Sequence, residues 1–441
     1  MHVVERFAAW AEDFRKLPIP PEVLHHAKRA VIDWYAALLP GAVVAPATLL
    51  EAALKEELDH GKARLALGRS ATVRAAALIN GSAAHTVEVD DIFRDAIYHP
   101  GAPTIAAALA LAQAGGASGE QFLRAVIVGY EISTRIGAAM GRAHYKYWHN
   151  TGTIGVFGAC AAAAELLGLE RKRFAHALAT VTTFAAGLQQ SFRMDSMSKP
   201  LHAGRAAEAG VTAALAAREG VTGSFDVIEG EAGFGRAMGD NPDWIELFES
   251  LGKDFHICRM TFKNHTCCGH TFAAIDGALA LQAKMGVAAN DIERVSVGTY
   301  KAALDVAGYE QPRTPAEARF SLKYVVATAL THGSVRLAAF EPARMEDRIT
   351  RSLMEKISVS VDRGLDAVFP RQRAARVSIT AGGRSEEHLQ PTRIGDPDAP
   401  LSDAQLEAKY LELAVPVIGE GKAKALLQKL WQLESEKTLA P

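Results

Sequence analysis

The sequence predicts a mainly α-helical protein with one large all-helical domain and a smaller α+β domain. A chain of 441 residues exceeds the size at which one core keeps growing, so two domains are expected. Up to about residue 250, Ala, Leu and other helix formers recur at helical spacing. After about residue 262, short segments alternate apolar and polar residues, and the last forty residues return to helical spacing. We therefore predict an all-helical domain over 1–262 with 397–441, and an α+β domain over 263–396.

The helical pattern is clearest near the start of the chain. Pro21 suits the first turn of a helix and Gly41 suits its end. An apolar stripe lies between them: Val23, Ala27, Val31, Trp34 and Leu38. Further helices are predicted over 47–58, 71–87, 104–114, 119–139, 152–167, 171–188 and 203–218.

The second domain begins where alternation replaces helical spacing. Strands are predicted over 292–300, 356–362 and 375–381, and Gly382-Gly383 offers a hairpin turn after the third. Segments 273–285 and 314–333 have helical character. Ser402, three residues before Gln405, predicts the N-cap of a C-terminal helical region that extends to Leu433 and rejoins the first domain.

Composition excludes several classes of function. Lys and Arg number 48 against 50 Asp and Glu, so the chain lacks the basic field of a nucleic-acid-binding protein. Four cysteines, two of them adjacent, give no disulfide framework, and the charged N-terminus is unlike a signal peptide. Uncharged runs are too rich in Ala and Gly to span a membrane. We expect a cytoplasmic protein with reduced thiols and without nucleic-acid or membrane partners.

Residues 85–101 are the most informative segment. Two histidines and four carboxylates stand here between two Ala-rich, nearly uncharged segments: His85, Glu88, Asp90, Asp91, Asp95 and His99. Because desolvation shifts the pKa values of such groups, the crowding favours catalysis. The structural alternative is helix capping, with Asp90 and Arg94 paired four residues apart.

Two further clusters precede predicted helices. His149 and Thr151 stand before one helix, where exposed N–H groups favour an anion, although Thr151 could simply cap that helix. Lys199 and His202 lie three residues apart in the segment from Asp195 to Arg205. A lysine that enters an apolar domain needs an anionic partner, whereas a solvated loop lysine is the structural alternative.

Residues 263–270 form another cluster, at the junction of the two predicted domains. Lys263, His265, Cys267, Cys268 and His270 include potential metal ligands, but their spacing is poor for zinc. A second potential ligand set comprises His85, Asp90, Asp91 and His99. Farther along, Tyr324 stands on an apolar helical segment, where a buried hydroxyl with a partner is the usual explanation. Motifs for nucleophilic serine, ATP or NAD are absent from the sequence.

Taken in order, these clusters resemble the MmgE/PrpD family, which includes 2-methylcitrate dehydratase, cis-aconitate decarboxylase and iminodisuccinate epimerase. The resemblance covers nearly the whole chain. Its motifs are His85-x-x-Glu-Val-Asp-Asp, His99-Pro, Asn150-Thr-Gly-Thr-Ile-Gly-Val-Phe-Gly, Lys199-Pro-Leu-His-Ala-Gly-Arg, Glu231-Ala-Gly-Phe-Gly, Lys263, Cys267-Cys-Gly-His270, Ala274-Ile-Asp276 and Phe320-Ser-Leu-Lys-Tyr324.

The resemblance implies a helical domain built from both chain ends, a smaller α+β lid, a cleft active site without metal or cofactor, and a homodimer. It implies functional roles at matching positions: Asp91, His99, His149, Lys199, Lys263, His270 and Tyr324. We add Asp90, Thr151 and His202 as substrate contacts. The substrate is expected to be a small di- or tricarboxylate.

Family chemistry implies proton transfer at a carbon next to a carboxylate, which needs a base and cations that hold the developing charge. We expect His99 or His149 to move the proton and Asp91 to orient a histidine. Lys199 and Lys263, with His270 as a further candidate, would hold carboxylates, and Tyr324 would donate to the substrate or leaving group. Dehydration is the first prediction, with epimerisation, decarboxylation and carboxylate binding without catalysis as alternatives.

The chain departs from the common family pattern near the expected site. Glu88 stands where Asp is more frequent, and Lys323 where Pro is frequent. His265-Thr266 replaces Tyr-Pro, and Phe272 stands where a second histidine is common. These departures affect which substrate is expected and leave the predicted fold unchanged.

Overall fold

A computed structural model describes residues 1–192, 196–240 and 242–439. The chain forms two compact units, Met1–Phe262 with Ser402–Pro441, and Lys263–Leu401. The second unit therefore ends five residues after the predicted boundary at 396. Asp195, the first residue of one predicted cluster, lies outside the described residues.

The first unit is mainly helical. Its helices before the second unit are α1 (Val3–Phe14), α2 (Pro21–Ala42), α3 (Ala47–Ala53), α4 (Val73–Ala84), α5 (Gly101–Gly115), α6 (Gly119–Tyr145), α7 (Asn150–Thr153), α8 (Gly155–Leu166), α9 (Arg171–Thr182), α10 (Ser198–Arg218) and α11 (Phe234–Met238). The predicted stripe of α2 is buried along its whole length. Helices α5 and α8 are apolar nearly all round and form the centre of the unit, where α8 packs against α5, α6 and α10.

Gly41 does not end α2 as predicted. The helix continues to Ala42, and a Cβ atom at Gly41 would lie 1.9 Å from the carbonyl oxygen of Ala83. The glycine is therefore needed for the close approach of α2 to α4.

The first unit also contains a small β-hairpin that the sequence analysis missed. Helix α3 ends at Ala53 instead of residue 58, and β1 (Leu58–Arg64) pairs antiparallel with β2 (Ser70–Ala71). Asp59 and Gly61 have positive φ angles, 64° and 86°, which a continuing helix does not allow. The prediction of an entirely helical first domain was therefore wrong in this segment.

Two helix ends differ from prediction in ways that affect the histidine segments. Helix α9 ends at Thr182 instead of residue 188, and the hydroxyls of Thr182 and Thr183 donate to carbonyls within its last turn. Helix α10 begins at Ser198 instead of residue 203. Lys199 therefore lies on its first turn and His202 at the start of its second.

The second unit is α+β. Its helices are α12 (Phe272–Met285), α13 (Lys301–Val306), α14 (Pro315–Arg319), α15 (Leu322–His332), α16 (Pro342–Met345), α17 (Arg348–Glu355) and α18 (Arg363–Val368). Its strands are β3 (Ile292–Thr299), β4 (Ile357–Val361), β5 (Ala375–Ala381) and β6 (Arg384–Gln390), in the order β4-β3-β5-β6. β3 is parallel to β4 and antiparallel to β5. Helices α12 and α15 pack together, and α12 covers β5 and β6.

The three predicted strands correspond to β3, β4 and β5, and the fourth strand is an addition. Gly382 and Gly383 make the turn from β5 to β6 with positive φ angles of 57° and 71°. β6 was missed because it is an edge strand with mostly polar residues and no apolar alternation.

Residues after 402 return to the first unit. They form α19 (Asp403–Ile418) and α20 (Glu420–Trp431), and α19 packs against α2. Ser402 and Gln405 form the predicted capping box. In the described part of the chain, no single helix is long and apolar enough to cross a membrane. Taken together, α2 and α3 pass the membrane-span test by length and composition only. The bend between the two helices is 67°.

Candidate active site

The segment that joins α4 to α5 contains the charged cluster found in the sequence, and its path is fixed by the backbone. Ile92 and Thr261 exchange two backbone hydrogen bonds of 2.8 and 2.9 Å. Glu88 adopts a positive φ of 60°, which turns the chain sharply just before the two aspartates. We call residues 85–100 the histidine loop.

Asp90 is the carboxylate that contacts histidines in this loop. Its Oδ2 atom lies 2.7 Å from Nδ1 of His85 and 3.2 Å from Nδ1 of His99. All three side chains are buried. A carboxylate in this position fixes imidazole orientation and stabilises a positive charge on either ring. Asp90, rather than Asp91, is thus the aspartate that lies within hydrogen-bond distance of these histidines.

Asp91 instead joins the loop to the helical core. It accepts hydrogen bonds from the N–H of Gly101 over 3.0 Å and from the hydroxyl of Tyr130 over 2.8 Å. Burial and the nearby charge of Asp33 raise the pKa of Asp91 to about 8. Its observed contacts make Asp91 a support for the start of α5.

His149 lies at the centre of a group of four histidines. Its backbone N–H donates to the carbonyl of Gly187, and its Nδ1 lies 3.0 Å from Nδ1 of His202. Its ring stacks on His85 at 5.3 Å between centroids and meets the edge of Phe192 at 4.8 Å. Asp90 links His85 to His99, and His149 contacts both His85 and His202. Residues far apart in sequence therefore meet in one cluster. We call His85, His99, His149 and His202 the histidine cluster.

Two members of this cluster are held in the neutral form. Burial, then the charges of His85 and Lys199, keeps the pKa of His149 well below its usual value. The same causes, in the same order, lower the pKa of His202. A neutral imidazole at neutral pH can accept a proton, as a general base must.

Lys199 supplies the positive charge next to the cluster. Its ammonium group is paired with the carboxylate of Glu88 and lies 5.2 Å from the ring centroid of Phe192. Burial lowers the pKa of Lys199, but the charge of Glu88 and its hydrogen bond raise it more, so the net direction is upward. Glu88, a departure from the family pattern, is therefore the partner of the predicted lysine.

Helix α7 supports the loop from the other side. The backbone N–H of His99 donates to the hydroxyl of Thr151 over 3.3 Å, and the side-chain amide of Asn150 donates to the carbonyl of Ala96. Thr151 is buried and is not the N-cap of α7. His149 occupies that position, and its side chain makes no capping hydrogen bond. Thr151 thus supports His99.

A cavity of about 660 Å³ reaches the cluster. It is lined in part by Gly187, Ser196, Ser198, His202 and Arg205. His202 is shared between this cavity and the contact with His149. A small carboxylate has enough room to enter this cavity.

The predicted residues of the second unit have their own contacts. Lys263 is buried, His265 Nε2 lies 2.9 Å from Oδ1 of Asp276, and His270 Nδ1 lies 2.9 Å from the hydroxyl of Tyr300. The structure thus brings seven of the ten predicted site residues together within the first unit. The other three, Lys263, His270 and Tyr324, belong to the second unit.

His270 is surrounded by positive charge. Burial and then the guanidinium groups of Arg373 and Arg393 lower its pKa to about 4. The neutral ring can exchange a hydrogen bond with Tyr300, whose own pKa is raised to about 12, mainly by burial.

Tyr324 is fully buried in the core of the second unit. Its hydroxyl donates to the carbonyl of Ala339, and the guanidinium of Arg351 lies 5.7 Å from its ring centroid. This is the arrangement of a buried tyrosine with a satisfied hydroxyl, the structural alternative considered for it. Its predicted role toward a substrate stays a prediction.

One group in the cluster has the composition of a metal site. His85, Asp90 and His99 each offer a ligand atom within 4.8 Å of the others. Among the described residues, the cysteines and histidines of 265–270 do not form such a group. Within the candidate active site, a metal-dependent alternative therefore concerns the histidine loop.

Lys409 is a supporting residue that the sequence analysis missed. Its ammonium group lies 2.5 Å from Oδ1 of Asp33 and donates to the carbonyl of Val89, in the histidine loop, over 2.7 Å. Lys409 is fully buried. A signal was present in the sequence, because Lys409 falls between Leu406 and Leu413 on the apolar stripe of α19.

Two family models match this chain. Residues 5–246 match the MmgE/PrpD N-terminal domain, and residues 265–433 match the MmgE/PrpD C-terminal domain. Together these matches cover most of the chain.

Individual relatives are named as a decarboxylase-like protein, a decarboxylase and a dehydratase. The chain is 27% identical to a cis-aconitate decarboxylase-like protein from Aspergillus oryzae over 98% of this chain and 95% of that protein. Human cis-aconitate decarboxylase is 26% identical over 81% of this chain and 76% of its own length. The 2-methylcitrate dehydratase of Escherichia coli is 30% identical, over 29% of this chain and 28% of that enzyme. The chain belongs to the MmgE/PrpD family.

Proposed function

We propose that this protein is a lyase that removes a proton next to a carboxylate of a small di- or tricarboxylic acid, with dehydration of a hydroxy acid as its reaction. One observation supports the proposal most strongly. Neutral His149 lies in the same buried cluster as the Asp90-held His85 and His99, with the ammonium of Lys199 beside it. Base, acid and cation are thus present within one group of side chains.

The first step is proton abstraction. His149 takes the proton from the carbon next to the substrate carboxylate, since its lone pair is available at neutral pH. The electron pair left on carbon delocalises onto that carboxylate as an enediolate. Lys199 stabilises the added negative charge, because a cation in a buried site acts more strongly than in water.

The second step is loss of the hydroxyl group. His99, held by Asp90, gives a proton to the hydroxyl on the neighbouring carbon. The C–O bond breaks, water leaves and the electron pair forms the carbon–carbon double bond. Asp90 stabilises the imidazolium form of His99 before this transfer.

Decarboxylation is the second candidate function. The relatives that align over most of the chain are named cis-aconitate decarboxylases or decarboxylase-like, whereas the named dehydratases align over less than a third of it. Loss of carbon dioxide breaks a carbon–carbon bond and leaves an electron pair on carbon, which a protonated histidine then quenches. The same cluster can serve this reaction if one histidine starts in its protonated form and donates that proton to carbon after carbon dioxide has left.

A substrate panel tests the proposal. Purified protein is incubated with hydroxy and unsaturated di- and tricarboxylates in deuterium oxide. New ultraviolet absorbance from a double bond supports dehydration, and release of carbon dioxide supports decarboxylation. Deuterium exchange without net reaction supports epimerisation instead. If ligands raise the melting temperature but none reacts, a carboxylate-binding protein is the better description.

Two substitutions test the assigned roles. His149→Gln and Lys199→Ala are each expected to lose most turnover, while the melting temperature stays within a few degrees of the parent. Near-parental turnover in both variants would contradict the roles of His149 as base and Lys199 as cation. The functions predicted for Lys263, His270 and Tyr324 can be tested in the same assay by Lys263→Ala, His270→Gln and Tyr324→Phe.

Two further properties belong to this proposal. We propose that catalysis needs no metal, which elemental analysis of active protein can test: stoichiometric zinc that is required for turnover would overturn it. We also propose a homodimer, and light scattering of the purified protein would reveal a monomer if this is wrong.

A further inference from the structure

Another cluster of ligand-type side chains lies in the first unit and shares no residue with the histidine cluster. We propose that Glu22, His26 and Cys258 form a binding site for a zinc ion. Glu22 and His26 are four residues apart on α2, so both project from one face of the helix. Cys258 lies in the short helical turn His256–Arg259, which packs against α2. One potential ligand atom from each residue lies within 4.8 Å of the other two.

The three side chains are free to bind an ion. None of them has a side-chain hydrogen bond or salt bridge to another residue in the described part of the chain. Their charged neighbours are already paired, because His25 and Arg29 both contact the carboxylate of Asp403. The cluster thus differs from ordinary surface ion pairs, in which each carboxylate meets a cation.

The donor set suits zinc among the common divalent ions. Thiolate sulfur, imidazole nitrogen and carboxylate oxygen are all zinc ligands, whereas calcium and magnesium prefer oxygen alone. Three protein ligands leave a fourth position for water. Glu22 is exposed, so an ion and its water have access from solvent.

Protonation states are compatible with this assignment. Burial, followed by the charges of Arg29 and His25, lowers the pKa of His26, so its ring is neutral and can coordinate at neutral pH. Burial and then the carboxylate of Glu22 raise the pKa of Cys258 to about 12. The free thiol is therefore protonated, and zinc binding must release that proton to solvent as the Zn–S bond forms.

An ion at this site would join the start of α2 to the segment that leads to Thr261. The backbone of Thr261 pairs with Ile92 in the histidine loop. The zinc site is thus connected to the candidate active site through the short segment from Cys258 to Thr261, but its existence does not depend on any catalytic activity. Failure of the proposed function would leave this proposal unaffected.

Metal titration of untagged full-length protein tests the site. The protein is first treated with chelator, and zinc is then titrated by calorimetry and cobalt by absorption spectroscopy. We expect one ion per chain at this site and a thiolate-to-cobalt charge-transfer band. Cys258→Ser should abolish that band, and Cys258→Ser and His26→Ala should each weaken zinc binding by about tenfold or more.

Two matched controls separate this site from other ligand groups. Asp90→Asn removes the carboxylate of the histidine loop, which contains no sulfur, and Cys267→Ser removes a thiol from the second unit. Both controls should retain the cobalt band. If Cys258→Ser fails to fold, Glu22→Gln with His26→Gln replaces it. Equal affinity in parent and ligand variants, or only weak unsaturable binding, would overturn the proposal.

Discussion

Two buried histidine–aspartate pairs, one in each unit, have nearly the same geometry. His85 and Asp90 approach to 2.7 Å, and His265 and Asp276 approach to 2.9 Å. All four side chains are buried. The pairs differ in what else each aspartate and each imidazole contacts.

Asp90 contacts a second histidine, whereas Asp276 contacts the backbone. Asp90 lies beside His99, while the other oxygen of Asp276 accepts the N–H of Ile394 over 2.8 Å. The ring of His265 meets the edge of Phe272. The His85–Asp90 pair thus contacts a further titratable group, whereas the His265–Asp276 pair contacts a backbone N–H and a phenylalanine ring. We therefore expect the two pairs to differ in function.

The largest expected effect is on the Asp90 pair. Asp90→Asn should lower kcat by about a thousandfold, because His99 loses the charge that stabilises its protonated form. Steady-state kinetics on the substrate found by the panel measures the loss. Asp276→Asn is the matched control and should retain kcat per folded molecule. Equal loss of kcat in both variants would mean that the two pairs do not differ in function.

The pH dependence of the reaction should show which histidine is the base. Because the pKa of His149 lies well below its usual value, it becomes protonated, and kcat/KM falls, only when the pH drops well below about 6.5. His149→Gln should lower kcat by about a hundredfold. His176→Gln, which changes a histidine outside the cluster, should leave the profile unchanged. If kcat/KM already falls at or above pH 6.5 as the pH is lowered, the result would argue against His149 as the base.

The Asp276 pair should affect stability more than activity. Asp276→Asn weakens the contact with His265 and changes the acceptor for the N–H of Ile394. We expect a loss of about 2 kcal/mol in the free energy of unfolding. Urea denaturation measures this loss. No loss of stability would show that the contacts of Asp276 are not structural.

The smallest expected effect concerns support of the histidine loop. The double variant Lys409→Met with Asp33→Leu removes both charges of a buried pair, so the fold should tolerate it, but the carbonyl of Val89 loses its donor. We expect kcat to fall by about tenfold. Lys28→Met with Glu434→Leu is the matched control.

That control pair resembles the first one in its contacts. Lys28 donates to Glu434 and to the carbonyl of Trp431, so it also links α2 to the C-terminal segment, but it does not contact the histidine loop. Similar kinetics in the two double variants would show that general packing, rather than the contact with Val89, matters.

Regular sequence patterns correctly predicted the helices and strands in which apolar residues recur at helical or alternating spacing. The stripe of α2, the alternation of β5 and the capping box at Ser402 all appear as expected. The hairpin β1–β2 and the edge strand β6 were missed, because turns with positive φ and polar edge strands leave no periodic signal.

The residues that cluster in the first unit were easier to predict than their contacts. Clusters in the sequence pointed to the histidines and Lys199, because titratable residues next to apolar segments can be recognised without a structure. Asp90 and Asp91 are adjacent in an irregular loop, so their side chains point to different partners that no periodicity predicts. The pairing of Lys199 with Glu88 depends on residues 111 positions apart.

The contact of Lys409 with Val89 has a consequence for the order of events during synthesis. Residues 402–439 emerge from the ribosome only after the whole second unit has been made. Until then Asp33 has no lysine partner from α19, and the histidine loop lacks the donor to Val89. A nascent chain can form most of its helices early, but the candidate site reaches its final geometry among the last steps of folding.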